Sequence, residues 1–377
     1  MHVAVLGAGY AGIALARKLE RALSDDIAIT VVDERETHLV QHLIHRIVRH
    51  PSLAEELTIP IADLLDRADH RRARVTDLDP DAGEVTLEDG TLSYDVGAVC
   101  LGARTAYYGL PGVAENATPL KRPRHAEHIR ADFLDVCEAG GQTVVVGAGL
   151  SGIQVAGELA ELAREETADV DVRLLEQRGT VAPNFPGGFQ RAVADELEAR
   201  GVRVETGREV ERVDEGAIAL ADGEAAAYDQ LVWTGGIAGG DALGGDRPKV
   251  RANLRLGDRT FAVGDAARVV DADGQPAPAS AQTAVRQADV AATNIDRLVD
   301  HHRSGGGDFE PRFEAYRYDE LGWLVSVGDG TVAQVGPTVV RGAAAKALKT
   351  TVGAGYIASV GAIRNASEFA WEEVSAG

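Results

Sequence analysis

The chain is poor in sulfur, in aromatic rings and in positive charge. Cys100 and Cys137 are the only cysteines in 377 residues, and there is a single methionine. The two cysteines stand 37 residues apart, which excludes a close-spaced CxxC or CxxxxC redox pair. They read as thiols in a reducing compartment, with a bridge between them as the alternative. Lys and Arg number 38 against 59 Asp and Glu, a net charge of −21. Nucleic acid is thereby excluded as a partner, because phosphate backbones require clustered cations. The acid surplus and the 5% aromatic content read as a surface kept hydrated in a high-salt cytoplasm. Met1 leads directly into a strand with no signal peptide, and no apolar run approaches membrane-spanning length. Contact with a membrane is therefore expected only from the surface. With 45% hydrophobic residues, the chain can bury a sizeable interior, and its length suits two or three domains rather than one.

What is present is glycine in a pattern. Val3-Ala4-Val5-Leu6 runs into Gly7-Ala8-Gly9-Tyr10-Ala11-Gly12, and Val144-Val145-Val146 runs into Gly147-Ala148-Gly149-Leu150-Ser151-Gly152. Each is a strand, then G-x-G-x-x-G, then a helix. In such a unit the first glycine makes the turn and the second lets backbone approach a pyrophosphate. The third packs helix on strand, and the helix N-terminus offers N–H groups and partial positive charge. Asp33 follows Gly7 by 26 residues and Glu176 follows Gly147 by 29, each at the end of the next strand, where a carboxylate accepts hydrogen bonds from ribose hydroxyls. Glu176 also repels a 2′-phosphate, so NADH is expected over NADPH, although the flanking Arg173 and Arg178 weaken that reading. Two dinucleotides on one chain imply electron transfer between them.

The surrounding pattern duplicates. After the first unit come a small meander over 74–94 and a buried strand, Val96 to Leu101, stopping at Gly102. Pro111 to Pro123 reads as a connector. The second unit repeats this outline through Glu176, a helix over 189–200, a hairpin around Ala221-Asp222-Gly223 and a strand ending at Thr234-Gly235-Gly236. This is an α/β chain of two Rossmann-like domains with internal duplication. Later, Thr260-Phe261-Ala262-Val263 ends at Gly264-Asp265, placing a carboxylate at the mouth of a sheet, where a sugar-alcohol chain such as a ribityl group can meet it.

Taken together, these motifs resemble the two-dinucleotide-binding flavoprotein superfamily of glutathione reductase, over about residues 1–300 and in family order. The resemblance implies an FAD-binding domain at 1–118 and 246–310, an NADH-binding domain inserted at 119–245, and a C-terminal region at 311–377. It assigns Gly7, Gly9, Tyr10, Ala11, Gly12, Asp33, Gly102, Gly264, Asp265, Ala281 and Gln282 to FAD. Gly147, Gly149, Leu150, Ser151, Gly152, Glu158, Glu176 and Gly235 go to NADH. Ala281-Gln282-Thr283-Ala284-Val285-Arg286-Gln287-Ala288 resembles a segment of the type II NADH dehydrogenases, in which it borders the flavin and the quinone. Gly157-Glu158-Leu159-Ala160 resembles that family's G-E-L-A run. Glu158, Gln282 and Gln287 are the catalytic residues so implied, Ser280 the N-cap, and no metal is expected. The implied activity takes hydride from NADH onto flavin and passes electrons to a quinone. A sulfide:quinone reductase, a ferredoxin-type reductase and a non-catalytic flavin and NADH redox sensor are the alternatives.

Two segments keep several readings. Tyr316 to Gly328 resembles the family's segment after the FAD domain, but the family's tryptophan-containing membrane hairpin is not evident. From Gly330 to Ser367 the chain carries Arg341, Lys346, Lys349 and Arg364 and no acid. An apolar face over 339–348, continuing after a break at Gly353–Gly355 through Tyr356, Ile357, Val360 and Ile363, reads as a peripheral membrane anchor on the inner face of the cell membrane or a homodimer contact. A helix packed on the FAD domain is the bland alternative. His38, His42 and His45 fall at i, i+4, i+7, with His50 nearby; metal ligation, proton delivery near the flavin and ordinary structural roles all stay open.

Overall fold

The structure, a computed structural model, describes residues 1–305, 309–360, 362, 365–367, 369 and 370. Ile363, Arg364 and the stretches 306–308 and 371–377 lie outside the described residues. Two parallel five-stranded sheets organise the chain. The first runs in the order Thr260–Ala262, Val96–Val99, His2–Leu6, Ala28–Asp33, Asp69–Arg72. The second runs Thr118–Pro119, Gln230–Trp233, Gly141–Val146, Val170–Glu176, Arg203–Thr206. These central strands are Val-, Ile- and Leu-rich and buried, as parallel strands covered on both faces must be. The first sheet draws its outermost strand from beyond the second, so the second unit is an insertion. Both are Rossmann-like, as the α/β reading anticipates.

Each fingerprint sits where the central strand of its sheet ends and the strand order reverses, the position at which open α/β sheets bind ligands. The Ala281–Arg303 helix packs along the Tyr10–Ala22 helix and joins the two halves of the first domain. Between the end of the expected connector at Pro123 and the second unit stands a helix, Pro123–Ala139. Its signals are a proline at the first turn and an apolar period of Ala126, Ile129, Phe133 and Val136, all buried.

The C-terminal region departs from expectation in detail. Trp323–Val327, Gly330–Val335 and Thr338–Arg341 form an antiparallel meander, so Val339 and Val340 belong to a strand. The helix Ala343–Ser359 then runs through Gly353 and Gly355 without a break. Ala345, Lys349, Gly353 and Ile357 form its buried stripe. At Gly353 the missing side chain leaves room for the Phe369 ring, so this glycine serves close packing rather than a turn. Among the described residues, no helix is long and apolar enough to cross a membrane.

Candidate functional site

The two fingerprints are built alike and open toward one another. Gly7 and Gly147 take left-handed backbone, φ +108° and +98°, which glycine adopts without steric cost. A side chain at Gly12 would collide with the Gly7 carbonyl oxygen, and one at Gly152 with that of Gly147. In front of Gly9 and Gly149, by contrast, nothing stands within 4 Å of where a Cβ would be. That open space faces the first turns of the helices Tyr10–Ala22 and Leu150–Glu165, the arrangement in which backbone N–H groups receive a phosphate.

The strand-end acids do a second job. Asp33 Oδ2 accepts the Ala8 N–H at 2.7 Å, and Glu176 Oε2 accepts the Ala148 N–H at 2.8 Å. Their other oxygens take the N–H groups of Arg35 and Arg178 at 2.9 and 2.8 Å. Each carboxylate thus pins its own glycine loop, and its remaining lone pairs are left for sugar hydroxyls.

Two clefts of about 630 and 600 Å³ meet at shared walls of Gly9, Gly102 and Lys121. The first follows Gly7, Gly9 and Asp33. The second lies between Gly9-Tyr10-Ala11 of one fingerprint and Gly149-Leu150-Ser151 of the other. Asp265 and Ala281 also line this second cleft, and Lys349 and Val352 of the C-terminal helix close it. Burial pushes the Asp265 carboxyl above its usual range, against the pull of Lys121 and Arg247. Ser280 caps the helix that begins at Ala281, its Oγ accepting the Thr283 N–H at 3.1 Å, so N–H groups and a partial positive charge face the cleft.

Residues 1–288 match the pyridine nucleotide-disulphide oxidoreductase family. The chain belongs to it. It is 26% identical over 396 residues to the type II NADH:quinone oxidoreductase of Staphylococcus aureus strain MSSA476, covering 96% of each chain. Its fold is similar to NDH2 of Plasmodium falciparum in complex with NADH, with a TM-score of 0.82, 14% identity and coverage of 98% and 97%. It is also similar to the sulfide:quinone oxidoreductase of Aquifex aeolicus, with a TM-score of 0.78, 18% identity and coverage of 97% and 92%.

The residues present suit the dinucleotides of the pyridine nucleotide-disulphide oxidoreductases. The open fronts of Gly9 and Gly149 leave the space that a pyrophosphate needs. Gln282, on the first turn of the capped helix, buries its amide nitrogen with no protein acceptor, an orphan of the kind a ligand satisfies. Gly235 packs its backbone against Gly147, and buried Gly264 holds the turn before Asp265. A disulphide, despite the family name, is absent: Cys100 and Cys137 are both free, one on the cleft wall and the other on the Pro123–Ala139 helix.

Three expectations need correction. Glu158 is 0% exposed and lines neither cleft. It lies behind the second one, with Oε1 3.1 Å from Arg46 and Oε2 3.7 Å from Arg49. Gln154, one helical turn earlier on the same face, holds the cleft-lining place. The available signal was its position two residues after the third glycine, at the start of the second turn of the helix. Gln287, 1% exposed, spends its Oε1 on the Gly264 N–H at 2.8 Å, so it positions the Asp265 turn and does not face the cleft. The three histidines do not share a helix. His38 is on a strand, His42 on a single 3₁₀ turn and His45 just before the helix Arg46–Arg49. His38 bridges the Ala8 carbonyl at 2.8 Å and the Tyr356 hydroxyl at 3.0 Å, His42 meets Tyr10 at 2.6 Å, and His45 meets Ser326 at 2.8 Å. Among the described residues, no group of three or more His, Cys, Asp or Glu is arranged to hold a metal.

Proposed function

We propose that the chain is an FAD-dependent NADH:quinone oxidoreductase in which the nicotinamide and the quinone are brought to one crevice between the two fingerprints. The observation that carries this reading is that crevice, walled by Gly9-Tyr10-Ala11 on one side and Gly149-Leu150-Ser151 on the other. The match to the Staphylococcus aureus enzyme along nearly the whole chain supports it. FAD supplies the two-electron carrier between the substrates when it is bound along Gly7, Gly9, Gly12, Asp33, Gly102, Gly264, Asp265, Ala281 and Gln282. Gly147, Gly149, Gly152, Glu176 and Gly235 hold NADH. The protein's own contribution is orientation and exclusion of water, because the transfer itself needs proximity more than acid or base.

Glu176 selects NADH over NADPH. Arg173 is committed to Glu205 at 2.8 Å and Gln142 at 3.2 Å, so a 2′-phosphate would meet the Glu176 carboxylate with only the exposed Arg178, hydrogen-bonded to Asn184 at 3.0 Å, beside it in sequence to offset the repulsion. A sulfide:quinone reading lacks the cysteine pair it needs. In stopped flow, NADH is expected to bleach the bound flavin at least about tenfold faster than NADPH, a difference of about 1.4 kcal/mol, and a short-chain quinone to restore the colour. Protein that takes up no FAD, or that NADH reduces but no quinone reoxidises, contradicts the assignment.

The helix Ala343–Ser359 supplies the route to the membrane. Its outward face carries Ala344, Ala347, Leu348, Thr351, Val352, Gly355 and Ala358, all exposed and none charged, on a chain of net charge −21. Val352 is 48% exposed and also lines the second cleft, so a lipid-dissolved quinone would enter where this face meets the bilayer. The protein is expected to co-sediment with lipid vesicles at both low and high salt, since the contact is apolar, and Val352→Glu to release it. A wild-type protein that ignores vesicles and sediments as a dimer assigns the face to a second copy instead.

A further inference from the structure

A quinone presents carbonyl oxygens that become negative as electrons arrive, so a fixed hydrogen-bond donor in front of one of them speeds its reduction. Three imidazoles stand beside the second cleft, and their bonding sets one of them apart.

His38 and His45 are spent on the protein. His38 Nδ1 lies 2.8 Å from the Ala8 carbonyl oxygen, and its Nε2 lies 3.0 Å from the Tyr356 hydroxyl. His45 has Ser326 Oγ 2.8 Å from Nε2 and the Gln154 amide nitrogen 2.6 Å from Nδ1. His42 is only half engaged. Tyr10 Oη stands 2.6 Å from its Nδ1. Its Nε2 meets no protein group among the described residues, on a ring that lines the second cleft.

The bonds around Tyr10 decide which nitrogen carries the hydrogen. Tyr10 Oη accepts the backbone N–H of His42 at 3.2 Å, and burial pushes the phenol up, so it keeps its own hydrogen. Among the described residues, Nδ1 is the one acceptor within reach of that hydrogen. Donation to Nδ1 satisfies the hydroxyl, the backbone N–H and the ring together. A hydrogen on Nδ1 would instead strand the phenolic one. His42 is thereby held as the tautomer with its hydrogen on Nε2. Burial, with Lys349 and His38, pushes the imidazole down to about 4, so the ring is neutral near pH 7.

The support behind the donor is rigid. The Tyr10 ring packs edge-on against Tyr356 and His38, with centroids 4.7 and 5.5 Å apart. Tyr356 belongs to the helix Ala343–Ser359, whose Lys349 and Val352 line the same cleft as His42. A quinone admitted beside Val352 therefore enters the space that this N–H faces.

Resting on the quinone-reducing reading, we propose that the His42 Nε2–H donates a hydrogen bond to one carbonyl oxygen of the quinone in the second cleft. The imidazole keeps its hydrogen throughout and transfers no proton. Its part is to orient the quinone ring and to stabilise the charge that the incoming electron pair places on that oxygen.

The test uses FAD-loaded, full-length protein with two substitutions. His42→Leu removes the donor, and His42→Gln returns an amide N–H close to the place of Nε2. Flavin reduced by NADH in stopped flow is reoxidised either by a short-chain quinone or by ferricyanide, which has no carbonyl to bind. His42→Leu is expected to slow reoxidation by saturating quinone about a hundredfold, the scale for loss of one preorganised donor. Reduction by NADH and reoxidation by ferricyanide are expected to stay within about twofold of wild type. His42→Gln is expected to recover at least about tenfold of the lost quinone rate. Without turnover, quenching of tryptophan fluorescence by the quinone is expected to show about fivefold weaker binding in His42→Leu, since Trp323 lines the same cleft. The infrared carbonyl band of the bound quinone is expected at lower frequency in wild type than in His42→Leu.

A His42→Leu protein with the wild-type quinone rate and carbonyl band overturns the inference and leaves the parent reading standing. Equal losses with quinone and ferricyanide, together with an altered flavin absorbance, place the donor on the flavin and also overturn it. Slower reduction by NADH with unchanged reoxidation by quinone places it on the nicotinamide carboxamide, with the same result. A wild-type protein that reduces ferricyanide but no quinone overturns the parent reading, and this inference with it.

Discussion

Gly12→Val protein is expected to purify without colour, and Gly152→Val protein to purify yellow but stay unbleached by NADH. The opposite phenotypes follow from one geometry used twice. In each fingerprint the third glycine lies against the carbonyl oxygen of the first, Gly7 in one and Gly147 in the other. A valine there must push the turn away from its helix and shift the N–H groups that meet the phosphate. Overpacking of this kind costs about 3 kcal/mol or more, which is more than about a hundredfold in dinucleotide affinity. Because the fingerprints sit on separate sheets, damage to one is expected to leave the other cradle intact. Gly9→Ala and Gly149→Ala make the control pair, since no atom lies within 4 Å of either added Cβ. Their folds are expected to survive with weakened binding of the matching dinucleotide. FAD content after purification and the rate of NADH bleaching check all four; a Gly12→Val chain with one FAD per protein refutes the assignment of this loop.

The second large effect is acid lability between about pH 6.5 and 4. Burial drives the His38 imidazole down to about 4 from the ordinary 6.5, with Arg35 adding to the shift. Burial, with Lys349 and His38, drives His42 down to about 4 as well. In this window the unfolded chain binds protons on these rings and the folded chain does not, so stability rises with pH across it and falls as pH drops. For His38, which is almost fully buried, the span corresponds to about 3 kcal/mol. His42 is only half-buried against the cleft, so water reduces its share. With FAD in excess, the thermal midpoint is expected to be level above pH 7 and to fall steeply toward pH 4.5, and His38→Asn to flatten that slope. A wild-type profile level down to pH 4.5 removes this account.

The expected consequence is local as well as global. His38 ties the Ala8 carbonyl in the first fingerprint to Tyr356 on the C-terminal helix, and Tyr10 packs on Tyr356 with ring centroids 4.7 Å apart. Protonating His38 therefore acts on the phosphate loop and on the docking of the C-terminal helix together, so FAD release is expected to track the same window.

Much of this molecule could be read from one line of letters because its chemistry is local in sequence. A strand, a three-glycine turn and a helix start lie within a dozen residues, and the sterics that demand glycine at positions 7, 12, 147 and 152 act between near neighbours. The acids at 33 and 176, the Asp265 turn and the Ser280 cap belong to the same class, since each is set by where a strand stops or a helix starts. The inserted arrangement of the two domains was legible too, because the second fingerprint interrupts a pattern that later resumes at Thr260.

What the sequence left undecided depends on contacts between distant segments. Glu158 and Gln154 stand on one helix face, and only the packing of His45, Arg46 and Arg49 against that face puts the glutamine on the cleft and the glutamate behind it. Gln287 looked available until Gly264 claimed its oxygen from 23 residues away. The histidine spacing suggested a helix because three positions fit its period, yet Thr37–Leu39 pairs with Thr58–Pro60 as a strand, and each ring found a separate partner. At the C-terminus, Gly353 resembled a helix break but is the place where Phe369 needs space. Periodicity along the chain thus determined the two nucleotide cradles and their order, while the burial of charges and rings from segments far apart decided which side chains face the crevice.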